Sequence, residues 1–336
     1  MAQQFHYWIV LSLIIQSLFL ICSVVESAPV LDSLIKRAPP STCANRFDTV
    51  FVFGDSYSAI QGEKGNGATW SLFESPDAVT NNPIIRDGTT SGGANWNEYI
   101  TGCFEGLPQD CPAHLYNVAY NGATVDRNLV ESWRPQVEDF ITQAQQWQND
   151  IKPQVQYQKA LGAVWFGIND VGRSLETSNA DITNLLNQVL DQYFTQLDHL
   201  YEGGLREFMI INVPPFDRTP KFSSNATLLK PRIDSFNTLL QQRTNDFHTK
   251  HSDVVVFQID AHERFTYYLD NAGQFGIEDT THYCDEDGKV QPPSEGASCL
   301  SLEKYFYQDE LHPTYPIHKA FADDITNILN SQQYCI

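Results

Sequence analysis

The sequence predicts an α/β fold, a single domain built on a parallel sheet with helices on both faces. Five short apolar runs rich in β-branched and aromatic residues are spaced along the 336 residues, and helical periodicities separate the later ones. The runs are apolar throughout rather than alternating, as strands buried on both faces are. No internal repeat or low-complexity linker divides them.

Residues Ile9 to Ile21 read IVLSLIIQSLFLI, the length of a secretory signal core and shorter than the roughly 20 residues that span a bilayer. A signal peptide over 1–28 is therefore expected, with a signal anchor as the competing reading because no basic residue precedes the core. Lys36-Arg37 then offers a dibasic processing site, which would make 29–37 a short propeptide and 38–336 the single folded domain. Cysteine usage agrees with export. Outside the signal stand Cys43, Cys103, Cys111, Cys284, Cys299 and Cys335, an even set with fifteen connectivities open to it. Proximity favours Cys103–Cys111 and Cys284–Cys299, leaving Cys43 and Cys335 to join the ends. Zinc competes poorly, because no CxxC or short Cys/His pairing exists. Asn225 heads the N-glycosylation acceptor Asn225-Ala-Thr227.

The first strand is Asp48 to Phe53. It is followed by a long, Gly- and Asn-rich stretch from Tyr57 to Cys111 that reads as an insertion beside the site. The second strand is Leu115 to Ala119. Val137, Phe140, Ile141, Ala144 and Trp147 then recur at helical spacing, before a third strand at Ala160 to Phe166. Ile182, Leu185, Leu186, Val189, Leu190, Phe194 and Leu197 form the next helical face. A strand at Phe208 to Val213, a helix at Ile233 to Phe247, a strand at Val254 to Ile259 and a helix at Pro316 to Leu329 complete the order. In such sheets ligands bind beyond the carboxyl ends of the strands, so the residues after each strand are the candidates.

After the first strand comes Gly54-Asp55-Ser56-Tyr57-Ser58, which presents a serine at a strand-to-helix turn. Beyond the second, Asn117 to Thr124 (NVAYNGAT) contains Gly122, whose bare backbone can approach a ligand. The third strand ends in Gly167-Ile168-Asn169-Asp170. Before the last helix lie Asp309 and His312, spaced so that the acid can hold the imidazole. Each signal alone is ordinary turn or cap chemistry; their shared position at strand ends and before the last helix is what gives them weight.

As a set these blocks resemble those of the SGNH (GDSL-type) hydrolases, from Phe51 to about Ala320. The resemblance implies a flavodoxin-like three-layer α/β/α sandwich with a five-stranded parallel sheet. It implies Ser56 as nucleophile, His312 as general base oriented by Asp309, and an oxyanion hole of Ser56 N–H, Gly122 N–H and the Asn169 side chain. Tyr57 departs from the Leu of the name motif. The chemistry is self-consistent, since a serine hydroxyl needs a base to accept its proton and the tetrahedral intermediate needs preorganised donors. No G-x-S-x-G elbow is present, which disfavours the other common esterase fold.

GDSYS, the stretch Asn95-Trp96-Asn-Glu-Tyr99 and FGIND look most like fungal secreted acetylesterases of carbohydrate esterase family sixteen. This implies acetyl removal from hemicellulose oligosaccharides, with a secreted lipase or phospholipase as the alternative and a catalytically silent carbohydrate-binding module as the alternative of another class. Trp70, Trp96 and Tyr99 are candidates for a sugar platform. With 21 Lys+Arg against 41 Asp+Glu, the net charge of −20 excludes nucleic acid and anionic membrane as natural partners and suits a neutral substrate. Gly62 to Gly67 lacks the Lys-Ser/Thr of a phosphate loop, and Asp285 to Gly288 lacks the further ligands of a calcium loop, so both read as solvated loops. A secreted monomer without cofactor or metal is expected.

Overall fold

The computed structural model describes residues 47–60, 83–175 and 182–331. The expectations for the signal, the propeptide, Gly62 to Gly67, Trp70, Cys43 and Cys335 lie outside them. Within the compact unit Asn45–Ile336, the sheet consists of β1 (Thr49–Gly54), β2 (His114–Asn117), β3 (Ala160–Trp165), β4 (Glu207–Ile211) and β5 (Val255–Ile259), all parallel, in the order β2-β1-β3-β4-β5. That is the flavodoxin-like order, and its direction reverses beside β1. Each strand lies within two residues of its expected bounds. β1 and β3 are buried along their whole length, which is why they read as unbroken apolar runs.

One face carries α2 (Phe140–Gln146, continuing as a π turn to Ile151), α4 (Ile182–Glu202) and α5 (Ala226–Lys250), with the short α3 (Ile168–Arg173) against α5. On the other, α1 (Trp96–Thr101) and α6 (Ala261–Asp270) pack on α7 (Tyr315–Leu329). The core is strongly aromatic: Phe140 stacks on Phe166 at 4.7 Å, while Trp165 meets Tyr57, Trp96 and Phe321 at 5.5, 6.1 and 5.2 Å. A small hairpin, β6 (Tyr283–Cys284) and β7 (Val290–Gln291), stands beyond the sheet. Disulfides link Cys103 to Cys111 and Cys284 to Cys299. Among the described residues no helix is long and apolar enough to cross a membrane.

Four helices differ from expectation, α1 and α3 being single short segments of six residues that no periodicity marks. α5 begins seven residues before Ile233 and carries Pro231 inside it. α6, not expected at all, buries Phe265, Tyr268 and Leu269, a short apolar stripe interrupted by His262, Glu263 and Arg264.

Candidate active site

β1 delivers the chain to a turn held on every side. Gln143 of α2 clamps Gly54, accepting from its N–H and donating to its carbonyl, both at 2.9 Å. Tyr57 N–H donates to Asp55 Oδ1 at 3.0 Å, and Ser58 N–H to Asp55 O at 3.0 Å, so Ser56 sits at the apex. Asn117, at the end of β2, donates to Ser58 O at 2.7 Å and ties the second strand's loop to the first. In that loop Ala123 N–H closes a four-residue turn on Tyr120 O at 3.0 Å, with Gly122 at φ +82°. Such a φ at the third turn position is the type II geometry that favours glycine.

After β3, Gly167 at φ +117° starts α3, and a side chain there would strike Phe236 and Val213 at 2.6 Å. This tight start aims Asn169 at the site. Its amide nitrogen donates to Ala123 O at 3.0 Å and lies 3.3 Å from Asp55 Oδ2. Asp170 points inward and accepts from Val125 N–H at 3.0 Å.

The opposite wall comes from the far end of the chain. Asp309 Oδ1 accepts the N–H groups of Leu311 and His312, each at 2.8 Å, and Oδ2 meets His312 Nδ1 at 2.7 Å. His312 Nε2 faces Ser56 Oγ at 2.7 Å. Tyr57 reaches across, its hydroxyl donating to Leu311 O at 2.7 Å and its ring 5.6 Å from the imidazole. Glu310 points away and pairs with Lys221.

The electrostatics follow from burial and pairing. Burial pushes the Asp309 carboxyl up, but the His312 charge and the hydrogen bonds from His312 and Leu311 outweigh it and hold the group at about 2. Burial likewise pushes His312 down, and Asp309 more than reverses it, leaving the imidazole above its ordinary 6.5. Beneath the site, burial lifts both Asp55 and Asp170 to about 7.

Ser56, Gly122, Asn169, Asp309 and His312 all line one cleft of about 880 Å³. Among the described residues neither Ser56 N–H nor Gly122 N–H has a hydrogen-bond acceptor. A serine hydroxyl bonded to an imidazole, itself bonded to a carboxylate, in a cleft whose lining includes two residues with unpaired backbone N–H groups, is an arrangement suited to acyl transfer. No cluster of metal-ligating side chains occurs among the described residues.

The aromatic platform needs correction. Trp96 is fully buried, its ring packed on Trp165 and its Nε1 3.3 Å from Ser58 Oγ. Tyr99 packs on Phe104 at 5.6 Å. Neither lines the cleft; the aromatics that do are Trp133, Phe222 and Tyr283. Asp285, Glu286 and Asp287 form an acidic rim there as well, contributed by the disulfide-stapled hairpin.

Residues 50–325 match the model of a family described as GDSL-like Lipase/Acylhydrolase. An acetylesterase of Thermothelomyces thermophilus is 30% identical over 86% of this chain and 90% of its own length. Another acetylesterase, from Hypocrea jecorina, is 24% identical over 85% of this chain and 90% of its own. Among solved structures, an acetylxylan esterase from Geobacillus stearothermophilus aligns at 14% identity with a TM-score of 0.42, covering 85% of this chain and 95% of that one.

Proposed function

We propose that this chain, which belongs to the GDSL-like lipase/acylhydrolase family and is a carboxylic ester hydrolase, removes acetyl groups from neutral sugar hydroxyls with Ser56 as its nucleophile. The observation that carries the assignment is the 2.7 Å contact of Ser56 Oγ with a His312 ring whose other nitrogen is held by Asp309. His312 Nε2 takes the hydroxyl proton as Oγ attacks the ester carbonyl. The developing oxyanion is received by Ser56 N–H, Gly122 N–H and Asn169 Nδ2. His312 then protonates the departing sugar oxygen. It next takes a proton from water as that water attacks the acetyl-enzyme, and returns the proton to Ser56 Oγ as acetate leaves.

The acetyl reading is supported by the names of the fungal relatives and by the rim. Asp87, Asp285, Glu286 and Asp287 can accept hydrogen bonds from sugar hydroxyls, and they repel phosphate and uronate groups. Export is part of the proposal and rests on the apolar N-terminal segment and the disulfides.

The test is a series of p-nitrophenyl esters run beside acetylated xylo-oligosaccharide, with Ser56→Ala as control. kcat/KM is expected to fall steeply from acetyl to octanoyl, with acetate released from the oligosaccharide. A preference for octanoyl esters, or activation by an oil–water interface, would overturn the acetylesterase reading in favour of a lipase.

A further inference from the structure

We infer that Trp133 is a positioning residue that locks the Asn121–Gly122 peptide with its N–H turned toward the oxyanion, a role that rests on the assignment of Gly122 as a donor. Asn121 C=O and Gly122 N–H belong to one peptide plane. The Trp133 indole N–H donates to that carbonyl at 3.1 Å. The indole edge also lies against the Gly122 backbone, where an added Cβ would stand 2.2 Å from both Cδ1 and Nε1.

The peptide needs such a lock. It is the central amide of the turn closed by Ala123 N–H on Tyr120 O, and type I and type II turns differ by a flip of that amide. Glycine at the third position accepts either form, so the local chain does not by itself fix which way the amide faces. After a flip, a carbonyl oxygen would face the place where negative charge develops. Trp133 holds the carbonyl on the opposite side. Its hydrogen bond also polarises the amide and strengthens the N–H as a donor.

Trp133 is 40% exposed, and the Arg134 guanidinium sits 3.9 Å from its ring centroid. A half-exposed indole is not needed to complete the core, and its placement is explained by what its N–H and edge touch. The loop carrying it is anchored independently, through Thr124 Oγ1 donating to Val130 O at 3.0 Å and the Thr124–Ser132 hydroxyl contact at 3.3 Å.

The test replaces Trp133 with β-(3-benzothienyl)alanine, which keeps the shape of the ring and removes the donor, and with Trp133→Phe as a second variant. 7-Azatryptophan, which keeps the donor, serves as rescue. The readouts are kcat and KM for p-nitrophenyl acetate and the rate at which paraoxon phosphorylates Ser56 with loss of p-nitrophenolate. Loss of the donor is expected to lower kcat and the phosphorylation rate together by about tenfold, with KM within about twofold and activity restored by 7-azatryptophan. Wild-type kcat in the benzothienyl variant would overturn the inference, as would a raised KM at unchanged kcat, which would make Trp133 a substrate surface. If paraoxon left wild-type Ser56 unlabelled, the assignment of the site itself would fail, and that outcome is distinct from either of these.

Discussion

The two walls of the cleft are built by different means. The wall after β1, β2 and β3 is main chain held by buried side chains: Gln143 clamps Gly54, Asn117 holds Ser58 O, and Asp170 holds Val125 N–H. The wall bearing His312 is a loop closed on main-chain bonds, Gln308 N–H to His312 O at 2.7 Å and Lys221 N–H to Glu310 O at 2.8 Å. The Tyr57 hydroxyl on Leu311 O and the Lys221–Glu310 pair add to these, beside a hairpin stapled by Cys284–Cys299. Their carboxylates differ too. Asp55 and Asp170 lie in the interior without a cation in contact and are lifted to about 7, while Asp309 faces an imidazole and is held at about 2. The backbone N–H groups proposed to receive the oxyanion lie on the first wall, and the imidazole proposed as base lies on the second against its carboxylate.

The largest expected effect breaks the contact between the walls. Ser56→Ala and His312→Ala should each lower kcat by about 10⁴-fold or more, and the double variant by little beyond that, because the two act as one unit. Additive losses, or turnover above about one per cent in either single variant, would separate the residues from one catalytic unit. Thermal unfolding should stay close to wild type in Ser56→Ala and shift downward in His312→Ala, which leaves the half-buried Asp309 carboxylate without its partner.

Next, Asp309→Asn should cost about 10³-fold or more, whereas Glu310→Gln, which disturbs only an exposed pair, should stay within about twofold. The reverse order would show that Glu310 orients the imidazole. Tyr57→Phe sharpens the comparison further, since it cuts the bond from the sheet side to Leu311 O. A fall in kcat of about fivefold is expected, with the pH profile kept. An unchanged kcat would mean the loop is held adequately without it.

The smallest effect is in pH. His312 must be neutral to act as base, and its pKa lies above 6.5, so the acid limb of kcat/KM should have its midpoint above 6.5. Asp309→Asn removes the main raising influence and should move that midpoint down. The same raised pKa contributes stability that is fully present below pH 6.5 and is lost as pH rises through the folded-state value. A midpoint below 6.5 in the wild type would contradict the pairing with Asp309.

Much of this was legible in the chain. Strands buried on both faces leave an unbroken apolar run, and β1, β3 and β4 could be read within two residues for that reason. The five residues brought together at the cleft could be singled out because each follows a strand or precedes the last helix. Trp96 could have been read correctly too: Asn95 and Glu98 make a capping box, which marks a helix start with Trp96 as its first residue and a core position for the indole. What the sequence does not carry is distance. Nothing local to Asp285–Asp287 reveals that a disulfide folds them over a serine more than two hundred residues earlier, and nothing in the stretch around Trp133 marks which backbone amide its indole meets.

The bond between Asp309 and His312 closes within three residues, but the one between His312 and Ser56 spans 256. A nascent chain therefore carries the backbone donors proposed for the oxyanion long before it carries the proposed base. Hydrolytic competence arrives as a final event, when the segment after Tyr307 has been synthesised and α7 has docked, its first residue donating to Ser91 O at 2.9 Å. A chain that lacks this segment has Ser56 without its imidazole partner, so recovery of activity in a refolding reaction reports a contact made across 256 residues.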